Sequence, residues 1–273
     1  LNLDKIETVE GVWTANVLEG YDTKTLSPLS RTKITFDDGH SWQYLKVDEK
    51  CPGNKECSLN ILSTEERRGD GQGSTGATPG ILLAIGNEGD RLNSDILTLS
   101  TYASRDGGLS WRKTLDEPSI FAFGDLGNVI VASPYKKSTE QNLDTNKLYY
   151  SLDQSATWKE YELDTSSFPL MLTTAIDGTT TKFIYLGLVG DRATPEANSQ
   201  VLFALDFARA FDRNCDKEDD FELWSPNRKD GDSCFFGHSD VYKRRKQDAK
   251  CFINKVFEDL KVDEKPCECR ESD

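Results

Sequence analysis

The sequence has little of what marks a membrane-spanning, metal-binding or helical protein. Its 273 residues are 36% hydrophobic, and no apolar run is long enough to cross a bilayer. There are two histidines and no Cys-x-x-Cys pair, and helical periodicity is nearly absent before Asp206. We therefore expect no membrane span in this chain, no common zinc knuckle, and an architecture of strands.

Positive charge is outnumbered by negative charge. Lysine and arginine number 33 against 47 aspartates and glutamates, which gives a formal net charge of −14 and leaves no basic stripe. This balance argues against nucleic acid or an anionic membrane as the main partner. Cysteines closely flank the basic cluster Lys243–Lys246 on both sides. We expect this cluster to be a solvated or acid-paired turn of a folded module, rather than a targeting or nucleic-acid patch.

What the sequence does contain is a short phrase that recurs three times. It reads TFDDGHSW, SRDGGLSW and SLDQSATW, and each copy lies between alternating apolar runs. Its residues are Thr35, Asp37, Gly39, Ser41 and Trp42, then Ser104, Asp106, Gly108, Ser110 and Trp111, and finally Ser151, Asp153 and Trp158. The pattern predicts a β-hairpin turn at the same place in successive sheet units.

Each residue type in the phrase has a physical reason. The aspartate can accept hydrogen bonds from N–H groups of its own turn, the glycine can take a left-handed conformation, and the tryptophan re-enters the next strand as a buried anchor. In the third copy Ser155 replaces the glycine, so we expect that turn to be strained or differently shaped. The phrase is the Asp-box, which occurs in sialidases, in other propeller proteins and in sorting receptors, and it leaves the activity open.

The strand-like runs predict an all-β fold. At about 50 residues per four-stranded blade, residues 1–208 supply about four blades, fewer than most closed propellers contain. We expect them to be the C-terminal part of a larger β-propeller, followed by a small cysteine-rich module at 209–273. The start lacks a basic-then-apolar signal, and the end, KPCECRESD, follows a Cys-x-Cys pair. Both ends are therefore expected to be internal to a longer chain, with the module truncated at its C-terminus.

The seven cysteines fall into two groups, Cys51 and Cys57, then Cys215, Cys234, Cys251, Cys267 and Cys269. Such usage is typical of secreted proteins. Zinc is the rival interpretation, but the spacings of 19, 17 and 16 residues between the first four clustered cysteines fit no common zinc knuckle. Disulfides are therefore favoured, and an odd number leaves one cysteine without a partner. His40 and His238 are expected to be surface turn residues rather than catalytic bases.

Beyond the Asp-boxes, five further phrases make a family resemblance specific. They are NKECSLNI, GILLAIGNEGD, DFARAFDRNCDKEDDFELW, DSCFFGHSDVYKRRKQDAKC and PCEC. Together they resemble the sortilin family of vacuolar protein sorting receptors, essentially from end to end, and most of all the fungal vacuolar hydrolase receptors. In that family a ten-bladed luminal propeller precedes a two-part cysteine-rich module, a membrane span and a short cytosolic tail.

The resemblance implies disulfide pairs and a function. The implied pairs are Cys51–Cys57, Cys215–Cys251 and Cys234–Cys267, and Cys269 would join a later cysteine that this chain lacks. The chain would be the luminal ligand-binding fragment of a transmembrane receptor that carries soluble hydrolases from the Golgi to endosomes. Its partners would be hydrolase or peptide cargo and the remaining blades of the parent chain. The membrane would be reached only through a downstream span, and no cofactor or nucleic acid is expected. The family's ligand-gripping arginine matches no residue here, so the ligand-binding residues remain unassigned.

Two other classes use the same architecture. A sialidase-like glycoside hydrolase needs an arginine triad, a tyrosine nucleophile with a carboxylate partner, and an acid aspartate, and no motif here ties such residues together. We therefore expect a receptor and not an enzyme. A propeller that assembles with a fixed partner protein stays open, since its loops and edges would resemble those of a receptor. A membrane span in the parent chain would distinguish a cargo receptor, which requires one, from such an assembly protein, which does not.

Overall fold

The computed structural model describes residues 2–24, 26–47, 57–63, 78–135, 144–190, 199–228, 231, 233–254 and 261–268. Two antiparallel sheets of four strands come first, each in chain order. The first blade consists of β1 (Asn2–Lys5), β2 (Trp13–Tyr21), β3 (Pro28–Thr35) and β4 (Gln43–Tyr44). The second blade consists of β5 (Ser58–Ile61), β6 (Leu82–Gly89), β7 (Ser100–Ser104) and β8 (Arg112–Leu115).

A six-stranded sheet follows and holds two further blades. Its strands, also in chain order, are β9 (Ser119–Gly124), β10 (Val129–Pro134), β11 (Thr145–Ser151), β12 (Lys159–Thr173), β13 (Lys182–Val189) and β14 (Ser199–Asp206). The 15-residue strand β12 belongs to both blades. Lys159–Glu162 and Ser167 pair with β11, and Phe168–Thr173 pair with β13. The third blade is thus β9–β11 with the start of β12, and the fourth is the end of β12 with β13 and β14.

Apolar side chains are buried between successive blades. Strand β6 shows how, because its alternate residues enter different cores. Leu82 packs with residues of the first blade such as Ile34. Leu83 points the other way and packs with residues of the third blade such as Phe123. Since both leucines are fully buried, each contributes about 1.5–3 kcal/mol relative to an exposed position.

The cysteine-rich module has a small sheet of its own, made of β15 (Phe221–Trp224), β16 (His238–Arg245) and β17 (Lys261–Pro266). Disulfide bonds join Cys215 to Cys251 and Cys234 to Cys267. Cys57 is also disulfide-bonded, whereas Cys51 and Cys269 lie outside the described residues. The four blades and the disulfide-bonded end confirm the predicted all-β fold class. The boundary at residue 208 remains a prediction.

Within the described ranges, no helix is long and apolar enough to span a membrane.

Removing the disulfide that closes the longer loop should destabilise the module. Cys215 and Cys251 are 36 residues apart, and replacing both with Ser is expected to cost about 4 kcal/mol of stability, because the unfolded loop regains its chain entropy. Chemical denaturation followed by tryptophan fluorescence would measure the loss. The matched control is Cys269→Ser, which is expected to leave the midpoint unchanged. An equal midpoint for the double variant and the wild type would contradict the expectation.

Candidate functional site: the Asp-box turns and the cysteine-rich module

The three Asp-boxes share one hydrogen-bond pattern. In the second copy the Ser104 hydroxyl accepts the N–H of Gly108 at 2.9 Å, and Asp106 Oδ1 accepts the N–H of Ser110 at 3.0 Å. The first copy uses Thr35 and Asp37 in the same way, and the third uses Ser151 and Asp153. Each carboxylate also accepts the hydroxyl at the Ser41, Ser110 or Thr157 position. The carboxylates are therefore engaged by their own turns.

Hydrogen bonding governs the charge state of two of these carboxylates. Burial by itself would raise the pKa of Asp37, but hydrogen bonds from Ser41 and Thr35 outweigh it and lower that pKa. The pKa of Asp153 is lowered for the same reason, with Thr157 as the main donor. A carboxylate held ionised by its own turn has a structural role, since a general acid needs a raised pKa.

All three turns have the same backbone shape. Two consecutive residues take positive φ in each, and these are Asp38 and Gly39, Gly107 and Gly108, and Gln154 and Ser155. Of the two alternatives expected for the third turn, a strained or a different shape, the structure therefore shows strain. Ser155 has φ of 68°, a conformation that costs a non-glycine residue about 1–3 kcal/mol. The buried Gln154 offsets this strain, because its Nε2 donates to Asn128 Oδ1 and to the carbonyl of Arg245.

The tryptophans differ in burial. Trp111 is buried in the core between the first and second blades, and Trp158 packs against the core between the second and third. Trp42 is 38% exposed, so the expectation that it is buried is wrong. The reason is positional, because each tryptophan packs toward the preceding blade. Among the described residues, none supplies a blade ahead of the first.

Three arginines of the cysteine-rich module reach the Asp-box turns, one turn each. Their acceptors are the carbonyls that directly precede each box aspartate. Arg228 Nη1 donates to the carbonyl of Phe36 at 2.6 Å, and Arg244 Nη1 donates to that of Arg105 at 3.1 Å. Arg245 Nη2 donates to the carbonyl of Leu152. We call these three residues the arginine comb.

Each arginine of the comb makes a second contact in its blade, at the connection between the first two strands. Arg228 also donates to the carbonyl of Glu10, and Arg244 to that of Pro79. Arg245 Nε donates to Asn128 Oδ1 at 3.0 Å. One guanidinium thus bridges two connections of one blade, and the arrangement repeats over three blades. A planar fork with five donors suits such bridging, whereas a lysine ammonium does not.

Aromatic rings and glycines complete the contacts. The guanidinium carbons of Arg228 and Arg244 lie 3.9 Å and 4.5 Å from the ring centres of Phe235 and Trp224, and Arg245 lies over Phe211 at 5.2 Å. At Gly11 a Cβ would lie 2.4 Å from the Phe235 ring, and at Gly80 one would lie 2.6 Å from the Trp224 ring. Both glycines have positive φ, which other residues rarely adopt. Each glycine therefore allows the backbone turn and, lacking a Cβ, leaves room for the ring.

The comb corrects the expectation for Lys243–Lys246. Lys243, Arg244 and Arg245 lie in strand β16, and both arginines are buried, so neither a turn nor solvation describes them. Acid pairing holds in part, because Arg244 Nε donates to Glu222 at 2.7 Å. Burial lowers the pKa of Arg244 and of Arg245 to about 10 each, which still leaves both charged at neutral pH.

A buried carboxylate forms the other contact between the third blade and the module. Asp125 is fully buried and accepts the N–H groups of Ile253 and Asn254 at 3.1 Å and 2.9 Å, just after Cys251. Burial raises its pKa to about 6, although these two N–H groups and the positive charge of Arg245 act against the rise. Asp125 was not singled out by sequence, since its neighbours form no motif.

The two histidines lie at different depths. His40 is exposed in the first Asp-box turn, where its Nδ1 is 2.8 Å from the carbonyl of Asp37. His238 begins β16 and is half-buried, so it is not a turn residue. It forms a group with Glu10 and Asp240 that has the composition of a metal site. Lys261 Nζ already lies 2.7 Å from Asp240 Oδ1 and supplies the positive charge there.

Replacing one member of the comb tests its importance. Arg244→Lys should destabilise the fold by about 3 kcal/mol, because a buried guanidinium would be lost from Glu222 and from two blade carbonyls. Thermal unfolding would measure this. The control is Lys243→Gln, at the residue just before Arg244 in the same strand. The half-exposed ammonium of Lys243 lies 3.7 Å from an exposed Glu218 carboxylate. This substitution should leave the midpoint almost unchanged. Equal effects of the two variants would contradict the assigned role of the comb.

Asp125 should make stability depend on pH. Its pKa is about 6 in the folded protein and 3.8 ordinarily, so the folded state binds the proton more tightly. Stability should therefore rise as the pH falls from 7.5 to 5, by about 1 kcal/mol, and be lost again as the pH rises through 6. Denaturation midpoints of the wild type and Asp125→Asn across this range would measure it. Parallel curves for the two proteins would refute the expectation.

Two family models match the chain. The Sortilin-Vps10 model, described as sortilin, neurotensin receptor 3, matches residues 1–172, and the model of the sortilin C-terminal region matches residues 174–273. A solved structure entitled "YCF48 bound to D1 peptide" aligns over 78% of this chain and 55% of that chain, with 14% identity and a TM-score of 0.30. That similarity is too low to carry an argument about fold or function.

Curated relatives match at higher identity. Vacuolar protein sorting/targeting protein 10 of Debaryomyces hansenii is 40% identical over 98% of this chain. Vacuolar protein sorting/targeting protein PEP1 of Saccharomyces cerevisiae is 38% identical over 96% of it. The chain spans about 18% of the length of each. Family models match both parts of the chain, and relatives match nearly its whole length. This chain therefore belongs to the sortilin family.

Proposed function

We propose that this chain is part of the luminal ligand-binding region of a transmembrane receptor that carries soluble hydrolases from the Golgi toward endosomes and the vacuole. The observation that carries the proposal is the identity of about 40% along nearly the whole chain with proteins named for vacuolar sorting and targeting. Two disulfides in the cysteine-rich module support a luminal location, because such bonds persist in oxidising compartments.

The partners of such a receptor are cargo proteins or peptides, together with the other blades of the parent chain. The net charge of −14 supports the absence of a nucleic-acid partner. Membrane contact is made through a span elsewhere in the parent chain. The comb serves this function indirectly, since it fixes three blades in one arrangement relative to the module.

A non-catalytic role is part of the proposal. The box carboxylates Asp37, Asp106 and Asp153 each accept N–H and hydroxyl groups of their own turns, which supports structural roles for all three. A glycosidase needs two carboxyl groups facing one sugar, with one of them at a raised pKa. Turnover of a fluorogenic sialoside by the purified parent protein would favour the glycosidase alternative.

Sorting in cells tests the proposal directly. In a fungal host that lacks its own receptor of this family, the full parent protein is expected to return a soluble hydrolase from the medium to the vacuole. A parent that lacks residues 1–268 should fail, and immunoblotting should show that it reaches the Golgi at the same level. Equal delivery with the two proteins would refute the proposal, as would a parent gene without a membrane span after Cys269.

A further inference from the structure

The connection between β9 and β10 contains a left-handed turn in which two residues carry side chains. Asp125, Leu126 and Gly127 have φ of 47°, 54° and 86°. At the corresponding connections of the first and second blades, the positive φ belongs to Gly11 and Gly80. A side chain makes this conformation unfavourable, so surrounding contacts must hold Asp125 and Leu126 in it.

The blades themselves supply the backbone partners of this turn. The N–H of Asp125 donates to the carbonyl of Thr180 at 3.0 Å, and the N–H of Leu126 donates to the carbonyl of Gly178 at 2.7 Å. Both acceptors lie in the connection between β12 and β13 of the fourth blade. Asn128 Nδ2 donates to the carbonyl of Asp125 at 2.7 Å. The third and fourth blades therefore hold the backbone of the turn.

The side chain of Leu126 lies in the core of the cysteine-rich module. It is 2% exposed and packs with Cys215, Cys251 and Ile253. Among the described residues this cluster has four buried members, and two of them form a disulfide. Leu126 and Ile253 are its buried aliphatic side chains. A module that closes around so few apolar residues depends on the one that the blade supplies.

Backbone contacts align the two cysteines beside this leucine. The N–H of Cys215 donates to the carbonyl of Phe252 at 2.7 Å, and that of Phe252 donates to the carbonyl of Arg213 at 3.1 Å. The Asp125 carboxylate accepts the next two N–H groups after Phe252. The Cα atoms of Cys215 and Cys251 are 5.0 Å apart, a distance that a disulfide spans without backbone movement. The turn thus fixes the segment of Cys251, and that segment pairs with the segment of Cys215.

The blades and the module depend on each other unequally. Phe252 of the module packs into the apolar cluster between the third and fourth blades. That cluster has ten buried members among the described residues, and the other nine come from the blades. The cluster around the disulfide has four, one of which is Leu126. The blades would therefore lose a small part of their core without the module, whereas the module would lose a large part of its core without the blades.

We propose that the Asp125–Leu126 turn is the template on which the cysteine-rich module folds, so that the third and fourth blades form first and Cys215 pairs with Cys251 on their surface. The oxidant is the disulfide of a thiol–disulfide oxidoreductase. One cysteine thiolate attacks a sulfur of that disulfide to form a mixed disulfide, and the second thiolate then displaces the oxidant. The two cysteines lose two electrons and two protons, and the oxidant gains them as its dithiol. Leu126 is a positioning residue, and this order of folding is independent of the cargo that the receptor carries.

Disulfide mapping of the full parent protein tests the role of Leu126. Leu126→Gly removes the side chain but keeps the positive φ, since glycine adopts it without strain. We expect the share of molecules with the Cys215–Cys251 pair to fall about fivefold, because five clustered cysteines can then pair wrongly. Leu126→Met keeps the side-chain volume and should keep the pair. The matched control, Leu115→Ala, removes a buried leucine from the core between the second and third blades and should also keep the pair.

Three outcomes of this experiment would overturn the proposal. The first is the native pair at the wild-type level in Leu126→Gly. The second is an equal fall in Leu115→Ala, which would mean that any loss of blade core disturbs the pairing. The third is fast hydrogen exchange throughout β10 in Leu126→Gly, which would make Leu126 a part of the blade core.

Hydrogen exchange tests the order of folding. In the full parent protein with Cys215→Ser and Cys251→Ser, the amides of β10 should exchange within about threefold of the wild-type rates, because the blades form without the module. The amides of β16 are the comparison and should exchange about tenfold faster than in the wild type, because the module has lost its disulfide. Acceleration of β10 by the same factor as β16 would overturn the proposal, since the blades and the module would then fold as one unit.

Discussion

The position of the cysteine-rich module depends on charged guanidinium groups buried against backbone carbonyls. Arg244 and Arg245 are almost completely inaccessible to solvent, and transferring a cation from water into such a site is costly unless its donors are satisfied. The Asp-box turns meet this requirement, because the same carbonyl is available in every copy. A repeated turn therefore creates a repeated acceptor, and the module carries one arginine for each of three turns.

Asp125 and the comb attach the module to the third blade with opposite charges. Arg245 donates to the blade, whereas Asp125 of the blade accepts from the module. Both groups are buried, and burial shifts the pKa of each toward the neutral form. Only the carboxylate titrates in the physiological range. Asp125 is therefore the group of this contact that gains or loses a proton near pH 6.

Sequence reasoning predicted the turns well because their bonds are local. Thr35, Asp37 and Gly39 act within five residues of each other, so the phrase alone contains the geometry. The comb could not be predicted in this way, since Arg228 bonds Phe36 from 192 residues away. A run such as Lys243–Lys246 suggests solvation, and only tertiary contacts show that two of its members are buried. The sequence offered one signal, because Val241 and Tyr242, residue types that favour strands, directly precede the cluster, and both are buried in β16.

Trp42 shows a second limit of the same kind. Its phrase matches that of Trp111, yet burial depends on a neighbouring blade that no local pattern records. Burial of a repeat residue is a property of two repeats, whereas its turn geometry is a property of one.

The sharing of β12 between two blades affects how the blades can move relative to one another. The first and second blades are joined by a connecting segment, whereas the third and fourth are joined by one continuous strand of 15 residues. A hinge needs a few residues that can change φ and ψ freely, and a strand paired along most of its length has few of these. The third and fourth blades should therefore move as one rigid body.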